Sequence, residues 1–181
     1  SIYAITSFII GMDNDTPGVA ERILQQIRSW PPGLPVFGQL TPFPSTPLYK
    51  RLQEDGRLVR PKHWLKFEKN TMAHIPLKMT IDQTHYELTY AWTHSYDAAR
   101  NAEAVQAMSY APVGPRIFHL ITRFAFRAIF FPQTTRRAWL KVFFENRRTV
   151  FSLAKEAIGS VLTSKKRVEG KDGSSAVINT A

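Results

Sequence analysis

Two polar loops in the first 47 residues hold the side chains best suited to chemistry. The loop MDND, at 12–15, contains Asp13 and Asp15, and the loop TPFPSTP, at 41–47, sets hydroxyl groups among three prolines. The two carboxylates could bind ribose hydroxyls or a cation. They could also cap a helix that begins at Thr16 or stabilise its dipole, and the capping role is the favoured interpretation.

Metal and nucleophile chemistry have little support elsewhere in the chain. The five histidines are His63, His74, His85, His94 and His119. They lack the H-x-x-x-H and H-E-x-x-H spacings of metal sites, so we predict surface or packing roles for them. The chain has no cysteine, which excludes disulfides, thiolate catalysis and a self-contained iron–sulfur cluster. Walker, dinucleotide and G-x-S-x-G patterns are also absent.

The two loops follow two predicted strands of one parallel sheet. The apolar run 2–11 predicts the first strand, and 36–40 predicts the second. Between them the sequence predicts a helix with Thr16 as N-cap and Pro17 at its first position, ending near Trp30. Strand, helix and strand form a βαβ unit. Because functional loops lie at the carboxyl ends of parallel strands, we expect both loops at one edge of the sheet.

The proline-rich loop is predicted to be stiff. Each proline disfavours the helical conformation in the residue before it, so Thr41, Phe43 and Thr46 are expected to be extended. Pro47 then begins a helix that Gly56 can close.

Beyond residue 60 the pattern predicts helices only. Thr80 and Gln83 form a capping box for a helix to about Ser95, with Tyr86, Tyr90 and Ala91 expected on its buried side. Three further helices and a disordered tail are predicted at 97–108, 115–131, 135–162 and 164–181, respectively.

Positive charge is concentrated in the second part of the chain. Residues 1–109 contain 11 Lys and Arg against 10 Asp and Glu, a net charge of +1, whereas residues 110–181 contain 13 against 4, a net charge of +9. Such a surface indicates an anionic partner or, equally, a solvated cationic face with no specific partner. No nucleic-acid recognition motif accompanies it, so we predict no nucleic-acid partner.

The segment 116–131 predicts a basic amphipathic helix. Arg116, Arg123 and Arg127 share one side of this helix, and apolar residues share another. A helix of this kind can lie on an anionic membrane. The alternative is slightly favoured, in which its apolar side packs near Trp139 and its arginines lie in solvent.

Four segments together resemble a known family. SFIIGMDNDT, QLTPFPSTPLYKRLQEDGRL, HWLKF and KMTIDQ are similar to the C-terminal half of cobalamin-binding radical S-adenosylmethionine (SAM) proteins. The nearest likeness is to the bacterial subgroup with an extra helical C-terminal domain of unknown function. The resemblance covers about residues 5–97 and is looser beyond.

The resemblance implies an α/β fold, namely the terminal β/α units of a partial TIM-like radical SAM barrel, followed by an all-helical C-terminal region. The last barrel strands would be Tyr3–Gly11 and Val36–Leu40. The implied division is 1–60 for the end of the barrel, 61–163 for the helical domain and 164–181 for the tail.

A SAM site is also implied. By position in the family, Ile9 and Gly11 would lie beside the adenine of SAM, and Leu40 and Pro42 would complete the cofactor-binding set from the second loop. No metal ligand is implied in this chain.

This chain departs from the family pattern at three positions. The pattern G-x-I-x-G-x-x-E has Ser7 in place of its first glycine and Asn14 in place of its glutamate. The usual P-G-T loop has Ser45 at the glycine position. If the backbone at residue 45 needs a positive φ, serine is strained there.

The implied function is that of a C-terminal fragment of a B12-dependent radical SAM enzyme. The parent would methylate, or otherwise modify by radical chemistry, an unactivated carbon of a small molecule or a lipid. Its cofactors would be SAM, a 4Fe-4S cluster and cobalamin, with the cluster and cobalamin ligands in the upstream barrel and cobalamin domain. Without cluster cysteines the fragment alone would be inactive. Its expected location is cytoplasmic.

A second function class also remains open. The chain could be a non-enzymatic basic helical module that docks on an anionic membrane or an acidic partner. In either function class, contact through 116–148 would make the chain peripheral at the inner membrane.

Overall fold

The computed structural model describes residues 4–59, 72–130 and 136–172. The chain divides into two compact units, Ser1–Asp97 and Ala98–Ala181. The first contains a small parallel sheet with helices, and the described part of the second is helical. The described residues are therefore mostly helical with a mixed α/β first unit, and the partial TIM-like barrel stays an expectation.

A parallel pair of strands forms the sheet of the first unit. β1 (Ile5–Ile10) and β2 (Leu34–Gln39) pair in register from Ile5 opposite Leu34 to Ile10 opposite Gln39. Helix α1 (Val19–Ile27) connects them. The predicted βαβ unit is confirmed, with β2 two residues earlier than expected.

The start of α1 differs from the prediction. The N-cap is Gly18, at φ +84°, and not Thr16. Glycine has no side chain to cap the helix, so the carboxylate of buried Glu87 does so from a distant part of the chain. It accepts hydrogen bonds from the backbone N–H groups of Gly18 (2.6 Å) and Ala20 (2.9 Å). A carboxylate at this end also favours the helix dipole.

Helix α2 (Pro47–Glu54) has the predicted ends. Thr46 is extended, and its hydroxyl accepts a hydrogen bond from a backbone N–H of the first turn. At the other end Gly56 has φ +67° and the N–H of Arg57 donates to the carbonyl of Leu52 at 2.8 Å. This bond and the positive φ are those of a Schellman motif, which requires a residue that tolerates the left-handed region.

Helix α3 (Ile81–Ser95) begins with the predicted capping box. The Thr80 hydroxyl accepts from the N–H of Gln83, and the Gln83 side chain accepts from the N–H of Thr80. The predicted buried side was right for Ala91, which is fully buried, and wrong for the two tyrosines, because Tyr86 is 65% exposed and Tyr90 is only partly buried. The buried side consists instead of Thr84, Glu87, Leu88, Ala91, Trp92 and Ser95.

One face of the sheet is covered by α3. The indole N–H of Trp92 donates to the carbonyl of Phe37 at 2.9 Å, and the two rings meet edge to face. The hydroxyl of Tyr96 donates to the carbonyl of Pro35 at 2.6 Å. Phe8 stacks on Phe37 with centroids 5.6 Å apart. The face that carries Phe8 and Phe37 is therefore the buried one.

The described part of the second unit has four helices. They are α4 (Ala98–Ala107), α5 (Val113–Phe130), α6 (Arg136–Glu145) and α7 (Arg147–Asp172). Their core contains Val105, Leu120, Phe124, Val142 and Leu153. None of these helices, nor any other in the described ranges, is long and apolar enough to cross a membrane.

The single helix predicted at 135–162 is in fact two helices. They meet at Asn146, whose side-chain amide donates to the carbonyl of Val142 at 2.8 Å, four residues earlier. Such a bond competes with the helical pattern and bends the chain. The second helix continues to Asp172, past the predicted end at Leu162. Residues 173–181 of the predicted disordered tail lie outside the described residues.

Helix α5 is amphipathic in the opposite sense to the prediction. Arg123 is only 4% exposed, and the side chain of Arg116 is 14% exposed. Phe118 and Ile121, on the other side, are 63% and 59% exposed. The favoured interpretation was therefore wrong in placing the arginines in solvent, but Trp139 does pack against the core that contains Leu120 and Phe124 of this helix.

Buried polar partners explain this orientation. The Arg123 guanidinium donates to the side-chain oxygen of Asn101 at 2.7 Å, and Asn101 donates to Asn146 at 3.0 Å. Arg116 pairs with Glu156 of α7 at 2.7 Å. Because these partners lie on α4, α7 and the α6–α7 junction, a helical wheel of α5 alone could not reveal them.

Candidate functional site at the strand ends

The two polar loops meet at the carboxyl edge of the sheet, as the topology predicted. The N–H of Leu40 donates to the carbonyl of Ile10 at 2.9 Å and joins the two strand ends. Leu40 is half-buried at this junction, whereas Pro42 is fully buried in the loop that follows.

On the sheet face opposite α3, the side chains of β1 are exposed among the described residues, whereas Leu34 of β2, which pairs with Ile5, is 1% exposed. Ile9 is 50% exposed there, and Ile5 and Ser7 are exposed beside it on the same strand. The residue paired with Ile9 is Gly38, and a side chain added at Gly38 would meet no atom within 4 Å. An apolar side chain next to bare backbone gives a flat, apolar surface that a planar ring could approach.

Gly11 directly follows β1 and is fixed by hydrogen bonds. Its N–H and that of Met12 both donate to one carboxylate oxygen of Asp15 at 2.9 Å. Its carbonyl lies 3.0 Å from Nε2 of His74. Three hydrogen-bonding contacts thus fix the backbone of this loop.

Glycine is also required at this position on steric grounds. The φ of Gly11 is +98°, a value that side-chain-bearing residues rarely adopt. An added Cβ would lie 3.2 Å from Thr84 Cγ2 and 3.3 Å from Met72 Cε. The start of α3 therefore packs directly against the loop.

The two aspartates do not cap α1. Asp15 closes the Gly11 turn, and Asp13 pairs with Arg51 at 2.9 Å and Arg57 at 2.7 Å. The hydrogen bond from Arg57 is the main cause of a lowered Asp13 pKa. Both carboxylates hold the loop in place, and within the described ranges no cluster of three metal-ligating side chains occurs.

His74 is a feature of this site that the sequence did not reveal. It is fully buried, and Leu58 faces it in an isolated antiparallel bridge. Burial is the main cause of its lowered pKa, which keeps the imidazole neutral at pH 7. Among the described residues its Nδ1 has no hydrogen-bond partner. No local motif surrounds His74, so only the fold shows that it supports Gly11.

Ser45, in the second loop, is the residue with positive φ that the family pattern suggested. Its φ is +66°, and it is the one non-glycine residue with positive φ in the described ranges. The loop therefore retains the conformation for which glycine is suited, although serine occupies the position.

Two curated proteins are similar to parts of this chain. The hopanoid C-2 methylase of Rhodopseudomonas palustris (strain TIE-1) is 40% identical over 58 residues, which are 32% of this chain and 11% of that protein. The anaerobic magnesium-protoporphyrin IX monomethyl ester cyclase of Cereibacter sphaeroides is 34% identical over 53 residues, 29% of this chain and 9% of that protein.

The similarity is confined to short regions. The matched residues span about a tenth of either relative. No protein-family profile matches the chain, and no solved structure matches it. The relatives therefore indicate distant homology to a methylase and a cyclase over a limited segment.

Proposed function

We propose that this chain is the C-terminal portion of a B12-dependent radical SAM enzyme and supplies one wall of its SAM pocket. The proposal rests above all on the open apolar strand face at the carboxyl edge of the sheet, where Ile9 lies beside Gly38. The parent enzyme would methylate or otherwise modify an unactivated carbon.

The asymmetry of the sheet supports this proposal. In a β/α barrel the helices cover the outer face of the strands, and ligands bind at the carboxyl ends. Here α3 covers the face with Phe8 and Phe37, while Ile5 and Ile9 are exposed on the other. Both strands are parallel and joined by a helix, as two consecutive barrel units would be.

The names of the two relatives are a second line of support. A hopanoid methylase and an anaerobic porphyrin-ester cyclase have activities that fit the chemistry of the family resembled by the sequence. A lipid substrate for the parent is compatible with the first of these names.

The residues present fit SAM but not an iron–sulfur cluster. A cluster requires thiolate ligands, and the chain has no cysteine. The proposal therefore assigns the cluster and cobalamin to other parts of the enzyme. Bound SAM would supply the radical and methyl chemistry, while Ile9 would contact the adenine and exclude water from it.

The support for this wall comes from the Gly11 loop. Asp15 and His74 fix the backbone of Gly11 from two sides. The pairing of Asp13 with Arg57 holds the loop against the segment that follows α2. A preorganised wall loses little entropy when a ligand binds. The role of the helical residues as a substrate-side cap stays a prediction.

The test uses the complete enzyme, purified anaerobically and reconstituted with iron and sulfide. Formation of 5′-deoxyadenosine and S-adenosylhomocysteine under reduction is measured at a series of SAM concentrations for wild type and for Ile9→Asp. The comparison gives the change in SAM affinity. We expect at least about a tenfold loss of SAM affinity, because the variant places a carboxylate where an apolar contact is proposed. Val161→Asp is the matched control, because Val161 is a 66% exposed β-branched residue of the second unit.

Two results would contradict the proposal. One is a reconstituted enzyme that forms neither product. The other is a loss of SAM affinity that is equal in Ile9→Asp and Val161→Asp, with circular dichroism showing both variants folded.

A further inference from the structure

The outward face of α5 carries no charged side chain. Gly114, Phe118, Ile121 and Ala125, which share this face at spacings of three, four and seven, are all exposed. Arg116 and Arg123 of the same helix lie on the opposite, inner side. A helix in water normally shows its charged side to solvent, so this orientation requires an explanation.

An apolar groove adjoins this face. It has a volume of about 670 Å³ and lies between α5, α6 and α7. Its walls include Ile121, Phe124, Trp139, Phe143 and Val150. Ile121 and Phe143, at the opening, are 59% and 51% exposed.

The neighbouring helices extend the apolar surface beyond the groove. On α6 the exposed residues next to the groove-lining Trp139 and Phe143 are again apolar, and α7 shows the same pattern beside Val150 and Ala154. These residues are Leu140 (69% exposed), Phe144 (65%), Phe151 (72%), Ile158 (62%) and Leu162 (57%). Three helices thus expose one apolar surface, which we call the apolar face.

Basic residues flank the apolar face. Arg137 precedes it on α6, and Arg148 and Lys155 lie beside the stripe of Phe151 and Ile158 on α7; all three basic side chains are exposed. Residues 98–181 hold 14 Lys and Arg against 5 Asp and Glu, a net charge of +9.

We propose that the apolar face binds the surface of an anionic bilayer. Phe118, Ile121 and Phe151 would insert into the acyl region, while flanking basic residues contact the anionic headgroups. An uncharged centre with a cationic border is complementary to this layered surface. The proposal does not depend on the SAM site, because all of its residues lie in the second unit.

The experiment is vesicle co-sedimentation of the 181-residue chain. Vesicles of phosphatidylcholine alone are compared with vesicles that contain about 30% phosphatidylglycerol. Each basic residue near a membrane surface contributes about 1 kcal/mol, so we expect at least about tenfold tighter binding to the anionic vesicles. The Phe118→Ser/Ile121→Ser variant should lose at least about tenfold of this binding. The Arg148→Gln/Lys155→Gln variant should bind anionic vesicles more weakly, whereas its binding to phosphatidylcholine vesicles should be unchanged.

A matched control separates insertion from general loss of apolar surface. Leu77→Ser removes a leucine that is 62% exposed in the first unit, and it should bind as wild type does. Circular dichroism establishes that each variant is folded. Absence of vesicle binding by the wild type, or equal binding by Phe118→Ser/Ile121→Ser, would overturn the proposal. So would an oligomer that the double variant abolishes while vesicle binding is unchanged, because the face would then bind a second copy of the chain.

Discussion

Ser45 has a backbone conformation that its loop requires and that glycine adopts more easily. Its φ of +66° lies in the left-handed region, which costs a side-chain-bearing residue about 1–2 kcal/mol. Ser45 is exposed, and the next residue, Thr46, caps α2. The position therefore needs a backbone conformation and not a particular side chain.

Replacing this serine with glycine should stabilise the chain. We expect Ser45→Gly to raise the free energy of unfolding by about 0.5–1 kcal/mol, because relief of the left-handed strain exceeds the entropy that glycine loses on folding. Urea denaturation followed by tryptophan fluorescence measures the change. Ser29→Gly is the control, because Ser29 is exposed and lacks a positive φ. If Ser45→Gly is no more stable than the wild type, then Ser45 is not strained in the folded chain.

At the scale of elements, α1 depends on α3 for its N-terminus. The first turn of α1 has no cap of its own, and the carboxylate of Glu87 accepts from two of its N–H groups. Tyr90, one turn further along α3, donates to Glu21 of α1 at 2.7 Å. The packing of these two helices is therefore polar at its centre as well as apolar.

Glu87→Gln tests this dependence. An amide retains one acceptor and turns an N–H₂ group towards an N–H donor, so we expect a loss of about 2 kcal/mol in the free energy of unfolding. Urea denaturation provides the measurement. Glu103→Gln should change stability by less than about 0.5 kcal/mol, since Glu103 is exposed and pairs with Arg100 on the surface of α4. Similar losses of unfolding free energy in the two variants would mean that the Glu87 cap contributes no more to stability than an exposed ion pair does.

Short sequence motifs predicted the ends of helices correctly where neighbouring residues determine those ends. Pro47 and Gly56 marked the ends of α2, and Thr80 with Gln83 marked the start of α3, because each motif satisfies backbone groups within a few residues. The start of α1 was missed because its capping carboxylate lies 69 residues from Gly18.

The same reasoning explains the other failures. Which side of α5 is buried depends on Asn101 and Glu156 in other helices. At the candidate site the meeting of the two loops followed from the parallel topology. The contact of His74 with Gly11 could not be predicted from this topology, because it joins positions 63 residues apart.

At the scale of the whole molecule, buried histidines make stability depend on pH. His119 of the second unit is fully buried, and burial lowers its pKa from 6.5 to about 4, with a smaller contribution from nearby Arg123. The unfolded chain takes up this proton near pH 6.5, whereas the folded chain takes it up only near pH 4. Stability is therefore lost as the pH falls between these values. The lowered pKa of His74 acts in the same direction in the first unit.

The contribution of His119 can be measured with one substitution. Between pH 7 and pH 5 we expect the wild type to lose about 2 kcal/mol more stability than His119→Gln. Urea denaturation followed by circular dichroism at both pH values gives the comparison. If the two proteins lose stability in parallel, then His119 does not remain neutral in the folded chain at pH 5.

The cap on α1 also sets an order of events during protein synthesis. When a ribosome has made β1, α1 and β2, the group that completes the first turn of α1 does not yet exist, because Glu87 follows Gly18 by 69 residues. Glu87 follows Gln39, the last residue of β2, by 48 residues, so at translation rates of about 5–20 residues per second the delay is roughly 2–10 s. For that time the nascent strand–helix–strand segment would lack its cap and the cover of α3, and would be the part of the chain most in need of protection by a chaperone.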